Sequence, residues 1–332
     1  MIEISDLRIE YELDDRTIHA VNGVDLSIGE NEIIGLVGES GCGKTTLAKS
    51  LIRLLARNGD IVEGSIDLNG TEITTLTDKQ LRQQIRWSEI SMIPQNAMNA
   101  FDPVYTVGNQ IVEVILEHTD TKKSEAWDRA RQLFEDVGIE PNRVKDYPHQ
   151  FSGGMAQRAI IALALALNPS VIIADEPTTA LDVINQEKVL SILIDLTEDM
   201  DTSILLITHD MSVVAQTCDK IAVMYGGRVV EFADTRTIIE NPVHPYTLGL
   251  KNAFPELQRD QELISIPGEP PMLTEETVGC NFAPRCPFAE ERCEMETPML
   301  EQHREEHWIE CHRRDEEEYL QQEAVNSEVW AE

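Results

Sequence analysis

The chain has 332 residues, 60 acidic against 27 basic, for a formal net charge of −33 at pH 7. That balance opposes binding to nucleic acid or to an anionic membrane; the carboxylates read first as a solvated surface, and a salt-rich, halophilic cytoplasm whose ions screen them is the sharper alternative. No run approaches the ~20 apolar residues needed to span a bilayer, and residues 1–6 lack the basic and apolar regions of a signal peptide, so a soluble cytoplasmic protein is expected.

Residues 1–87 alternate strand signals with turns such as Val21-Asn22-Gly23 and Leu68-Asn69-Gly70. Within them, Ile33-Ile34-Gly35-Leu36-Val37 reads as a buried strand, and residues 46–51 open a helical pattern. Between the two lies Gly38-Glu39-Ser40-Gly41-Cys42-Gly43-Lys44-Thr45, which fits G-x-x-x-x-G-K-[ST]. Its glycines let backbone N–H groups wrap phosphate oxygens, and a helix N-terminus adds partial positive charge. Lys44 is expected to reach the β- and γ-phosphates of a nucleoside triphosphate, Thr45 to ligate Mg²⁺, and Thr46 to complete the loop. From about residue 96 to 167 the pattern turns helical, as in residues 124–134.

Apolar strand runs return at Val171-Ile172-Ile173-Ala174 and Ile204-Leu205-Leu206-Ile207, with a helical segment between them. Such strands, alternating with helices, predict a parallel sheet covered on both faces. Residues 221–225 and 228–231, joined at Gly226-Gly227, read as a hairpin closing that domain. After Asn241 the chain becomes Pro-rich and loses long periodicity, so a boundary is placed near residue 250. The order of strands and helices, with the phosphate loop, makes the fold class α/β: a P-loop NTPase over 1–250 with a mixed sheet core and a helical subdomain at about 96–167. A small extension over 251–332 completes the chain.

The run at Val171 ends in Asp175 and Glu176. Asp175 is expected to hold Mg²⁺ through its water shell and Glu176 to polarise the water that attacks the γ-phosphate. A plain helix-start reading of two carboxylates competes until the upstream phosphate loop is considered. Phe151-Ser152-Gly153-Gly154-Met155-Ala156-Gln157-Arg158 leads into a helical run that Ser152 can cap, with paired glycines free to approach an anion.

These residues resemble the signature sequence of ATP-binding-cassette ATPases. The flanking pieces match in order: Gln95 as the Q-loop, Thr179-Ala180-Leu181-Asp182 as the D-loop, and His209 as the switch histidine. The resemblance implies that His209 contacts the γ-phosphate, that Gln95 senses Mg²⁺ and nucleotide, and that Ser152, Gly153, Gly154 and Gln157 touch ATP held by a second cassette. Tyr11 is assigned to stack on adenine. The order Asn241 to Thr247, Ile266 to Pro271, then Gly279 to Pro287 resembles the C-terminal extension of oligopeptide/dipeptide permease ATPases, a group with nickel-transporting relatives. Two departures stand out: Ala156 where relatives often have Arg, and Cys42 where Ser is frequent.

Cys280, Cys286, Cys293 and Cys311 are spaced C-x5-C-x6-C-x17-C. Four thiolates can hold tetrahedral zinc or a four-iron cluster, and unligated thiols or disulfides remain alternatives. The subfamily resemblance implies a [4Fe–4S] cluster stapling an extension that lacks a large core of its own. With the phosphate loop in the other domain, ATP binding is expected to survive loss of a cysteine.

The implied machine is the energy-coupling ATPase of a membrane importer for dipeptides or oligopeptides, peripheral on the cytoplasmic face. Its implied partners are a second cassette, usually a paralogue, head to tail, two membrane permease subunits, and indirectly an extracytoplasmic solute-binding protein. The runner-up is a soluble cassette ATPase of translation or DNA repair, which usually carries two cassettes or a long coiled coil. Import of nickel or another small solute is the alternative cargo. A catalytically dead regulatory partner is the third reading, opposed by Lys44, Glu176 and His209.

Overall fold

Alternating burial along Ile2–Glu12 (β1) makes one face apolar and one wet, the pattern of an antiparallel strand with one face packed. The computed structural model describes every residue except Asn96, Ala180, 254–263, 275–277 and 331–332. The expected start of the helical subdomain, the alanine of the D-loop and the stretch just after the expected boundary thus lie outside the described residues.

Strand β1 pairs antiparallel with β2 (Thr17–Ile28). The chain then enters a second sheet at β3 (Ile33–Val37), runs through the phosphate loop into helix α1 (Lys44–Ser50), and returns to the first sheet at β4 (Gly59–Leu68) and β5 (Thr71–Glu72). After β6 (Ile90–Ile93) come helices α2 (Val107–His118), α3 (Lys123–Asp136) and α4 (Gly153–Ala164), which form the helical region. The remainder of the sheet is β7 (Val171–Asp175), β8 (Ser203–Ile207), β9 (Lys220–Tyr225) and β10 (Arg228–Asp234). Helices α5 (Val183–Met200), α6 (Met211–Thr217) and α7 (Thr235–Glu240) fall between and after them.

The second sheet has eight strands, and β9, β3, β8, β7 and β6 run parallel as neighbours. Alternate residues leave each strand on opposite faces, as a period of two requires. Ile33, Val37, Ile172, Ala174, Ile204 and Leu206 join the helices. Ile34, Leu36, Ile173, Leu205 and Ile207 join the antiparallel sheet. The parallel sheet covered on both faces is as expected.

The hairpin β9–β10, expected to close the domain, does not close it. After α8 (Pro245–Ala253), the C-terminal segment supplies β11 (Glu301–Arg304) and β12 (His307–Ile309), and β12 pairs with β10 at Glu231↔Ile309 and Phe232↔Trp308. Helix α9 (Glu317–Ala324) follows. Ile264, Phe282, Phe288, Leu320, Ala324 and Trp330 belong to the same apolar cluster as the helical face of the sheet. Phe282 meets Tyr225 and Tyr246 with ring centroids 5.1 and 5.4 Å apart.

Two buried polar groupings lock the same junction. Glu231, with no solvent exposure, accepts from the Val243 and His244 amides at 2.8 and 3.1 Å and lies 2.8 Å from His307 Nε2. Arg228 pairs with Glu310 at 2.7 Å. Apolar burial and strand pairing thus hold the extension, which draws on the core of the cassette.

Phe282→Ala should therefore cost about 3–5 kcal/mol, read by urea denaturation of the full chain as one cooperative transition moved to lower urea. Two separate transitions, only one of them moved, would mean that the extension folds by itself.

Candidate active site

Parallel register brings the carboxyl ends of three strands level, with Leu36 opposite Ile207 and Ile207 opposite Asp175. The segments leaving these strands carry the phosphate loop, Glu176 and His209, so residues far apart in sequence meet at one sheet edge, where such folds bind ligands.

In the phosphate loop, Gly38 has φ 154° and Gly43 φ 107°. A Cβ at Gly38 would stand 2.1 Å from the Met224 carbonyl oxygen, and one at Gly43 2.2 Å from that of Ala20, so the close backbone approach admits only glycine. Ser40, Gly41 and Thr45 are exposed, leaving that side of the loop open. Lys44 is buried and donates to the Gly38 and Glu39 carbonyls, both at 2.8 Å, with Cys42 Sγ 3.6 Å away. Burial pushes the Cys42 thiol above its usual value, against the opposing pull of Lys44, so it sits there as a neutral packing group.

Thr45 donates to Asp175 Oδ1 at 3.2 Å. Burial raises the Asp175 carboxyl, and the Thr45 hydroxyl partly offsets this. Glu176 occupies the left-handed region at φ 48°, a strained conformation for a side chain of its size. Its carboxylate accepts from Gln95 Nε2 at 2.6 Å and Thr179 Oγ1 at 2.9 Å, with His209 Nδ1 at 3.3 Å. Burial alone would raise this carboxyl, but the hydrogen bonds from Thr179, His209 and Gln95 outweigh it and hold it below its ordinary value. Glu176 is therefore ionised at neutral pH, in the form that accepts a proton. Tyr11 has its hydroxyl 3.4 Å from Oγ1 of Thr46, just after the phosphate loop.

The signature residues differ from expectation in detail. Ser152 has the extended backbone of a cap, yet its side chain makes no capping bond to α4. It is exposed together with Gly153, whereas Gly154 is packed: a Cβ there would lie 2.6 Å from Asn185 Cγ. Gln157 is buried, with Nε2 lacking a partner among the described residues. Asp182 accepts from the Asn185 amide at 3.0 Å and its side-chain nitrogen at 2.6 Å, capping α5. Signature and D-loop are thus joined through Asn185 within one chain.

Sequence reasoning missed Thr179 as a Glu176 partner, and Asn185, Tyr246 and Arg285 altogether. Tyr246 Oη accepts the Glu39 amide at 2.9 Å, and Arg285 grips the Glu39 carboxylate at 2.8 and 3.1 Å. The only sequence signal was that both sit in the segments marking the C-terminal extension. Arg285 thereby brings the extension into direct contact with the phosphate loop.

Cys280, Cys286, Cys293 and Cys311 line a single cavity of about 20 Å³, together with His244 and Phe282. Burial pushes the Cys280 thiol up to about 11 and Cys311 up to about 12, and raises Cys286 as well. As arranged, no group of three or more His, Cys, Asp or Glu side chains among the described residues is set to hold a metal ion. The four cysteines share this cavity as free thiols, without disulfides. Among the described residues no helix is long and apolar enough to cross a membrane.

Fold and site together define a nucleotide-hydrolysing cassette of the P-loop class. The family described as "ABC transporter" matches residues 21–179, and "Oligopeptide/dipeptide transporter, C-terminal region" matches residues 230–293. The oligopeptide transport ATP-binding protein OppD of Escherichia coli is 43% identical over 304 residues, 91% of this chain and 90% of that protein. The oligopeptide transport ATP-binding protein AppD of Bacillus subtilis is 42% identical over 321 residues, 96% of this chain and 98% of that one. The post-hydrolysis dimer of the cassette MJ0796 bound to ADP and Pi aligns with TM-score 0.65 at 28% identity, covering 71% of this chain and 99% of the other. This chain belongs to the oligopeptide-transporter branch of the ABC transporter ATPases.

Gly154→Ala should force Asn185 away from Asp182 and destabilise the isolated chain by about 1–3 kcal/mol, while exposed Ser152→Ala leaves its unfolding midpoint unmoved. Thermal denaturation of the two variants makes the comparison; equal midpoints would refute the packing role of Gly154.

Proposed function

We propose that this chain is the ATP-hydrolysing, energy-coupling subunit of an ABC importer for dipeptides or oligopeptides. The observation that carries the reading is the convergence of Lys44, Thr45, Asp175, Glu176, Gln95 and His209 on one sheet edge, in a chain that also bears the oligopeptide/dipeptide C-terminal region.

In this reading the loop from Gly38 to Thr46 cradles the triphosphate, and Tyr11 stacks on adenine. Lys44 exchanges its two loop carbonyls for phosphate oxygens. Thr45, Asp175 and Gln95 supply the oxygen ligands that a hard divalent cation prefers. Mg²⁺ so held would neutralise phosphate charge. Glu176, anionic and tethered by three donors, takes a proton from the attacking water, while His209 passes from Glu176 towards the γ-phosphate. Exposed Ser152 and Gly153 present the signature to ATP held by a second cassette, head to tail, and buried Gly154 and Gln157 support that surface.

The rest of the assembly follows the same reading: two membrane permease subunits, a paralogous second ATPase, and a peripheral position on the cytoplasmic face of the membrane. The C-terminal region match and the 91% coverage of an oligopeptide transport protein favour peptide over nickel or another solute as cargo, and disfavour a role in translation or DNA repair.

Glu176→Gln should bind ATP normally and lose turnover by roughly 10²–10⁴-fold, trapping a closed pair of cassettes. ATPase assays of the reconstituted transporter measure it, and near-normal turnover would remove Glu176 from the base role.

Supporting a metal site, the four cysteines line one cavity, and a bound cation would favour the thiolates that burial disfavours. We assign them to a [4Fe–4S] centre, with zinc as the alternative. Protein purified without oxygen should carry about four irons per chain with sulfide and absorb broadly in the visible. One zinc without sulfide would select the alternative, and neither metal would refute the assignment.

A further inference from the structure

The phosphate loop contains a carboxylate that the proposed chemistry does not use. Glu39 follows Gly38 in the first turn of the loop, where a bound triphosphate would bring several more negative charges. A free carboxylate there opposes binding by simple Coulomb repulsion. It is not free. Arg285 donates from Nη1 to Oε2 at 2.8 Å and from Nη2 to Oε1 at 3.1 Å, a two-pronged pair across 246 positions of sequence.

The guanidinium is itself held from other sides. Nε donates to the Pro267 carbonyl at 2.8 Å, Nη1 also reaches Tyr225 Oη at 3.2 Å, and the group lies 5.7 Å from the centre of the Tyr225 ring. Only 7% of the Arg285 side chain is exposed, against 24% for Glu39, so water screens this pair much less than a surface pair. The Glu39 amide is bound by Tyr246 Oη and its carbonyl by Lys44. Main chain and side chain of Glu39 are therefore both fixed, and the side chain is fixed from the C-terminal extension.

We propose that Arg285 is a positioning residue for the phosphate loop: it neutralises Glu39 and sets the loop in its phosphate-accepting shape, so ATP affinity depends on the C-terminal extension. This rests on the proposed reading of the loop as an ATP site. Arg285 acts through Glu39 and touches no reacting atom, so its loss weakens ATP binding and leaves turnover at saturating ATP largely intact. The damage comes from the unpaired carboxylate, because a half-buried charge stripped of its partner is worse than no charge at all. Removing that charge should repair it.

The test is a double-mutant cycle on the full-length chain, with equilibrium titration of a fluorescent ATP analogue and steady-state ATPase kinetics in the reconstituted transporter. Arg285→Gln should raise the dissociation constant and KM by on the order of tenfold with kcat nearly unchanged. Arg285→Gln combined with Glu39→Gln should bind ATP several-fold more tightly than Arg285→Gln alone. Arg285→Lys, which keeps the charge and loses the fork, should fall between, and it serves if the glutamine variant folds poorly. Glu39→Gln alone should bind at least as tightly as the wild type.

An unchanged dissociation constant in Arg285→Gln, or no recovery in the double variant, overturns the assignment; a merely structural role for Arg285 predicts no recovery. If the wild-type chain itself shows no saturable binding, the ATP-site reading falls and this inference falls with it.

Discussion

The parallel register of β3, β8 and β7 is the constraint on which the remaining structure depends. Parallel strands cannot be joined by tight turns, so each is followed by a long excursion and both faces of the sheet must be covered. That geometry delivers three strand ends to one edge. The phosphate loop leaves β3, Asp175 ends β7 with Glu176 just after it, and His209 follows β8. A register slip of one residue would turn every apolar side chain of a strand to the opposite face, so the apolar packing that stabilises the sheet also aligns its polar ends.

Around that edge the polar groups divide into two systems of different character. Lys44, Thr45 and Asp175 are tied to one another and to the loop, which keeps the phosphate cradle formed. Gln95, Thr179 and His209 gather on Glu176, whose left-handed backbone and low-lying ionisation mark a side chain aimed by its surroundings. Asn185 then connects signature and D-loop inside the chain.

The C-terminal extension is the second structural theme. Its strand β12 covers the edge of β10, which would otherwise present unpaired backbone groups. Buried Glu231, His307 and the Val243 and His244 amides fill the polar demands of that junction, since a buried carboxylate must find donors. Tyr225, Tyr246 and Phe282 supply the apolar part. The extension thus shares sheet, core and phosphate-loop contacts with the cassette, and its cysteine cavity lies in the same packed region.

Much of this was legible in the residues alone. The phosphate loop, the strand before it, the carboxylate pair and the order of motifs are local patterns: glycine is required where the backbone is crowded, and apolar alternation marks buried strands whatever lies across from them. The four-cysteine spacing named the candidate ligands but left their arrangement open, because sulfur geometry depends on how the loops between them fold. The closing hairpin was misjudged for a related reason, since a strand does not announce which later strand will pair with it. Ser152 had the right residue type for a cap, yet its side chain makes no capping bond. Gly154 could be read as freedom for the backbone, when the actual need is room for Asn185. Glu39 had 27 basic residues as candidate partners, and no local rule chooses Arg285 among them. The sequence by itself determined the chemistry on offer and the strands that carry it. Tertiary structure alone decided which distant groups would neutralise, cap or cover one another, because those pairings follow from packing the whole chain around one sheet.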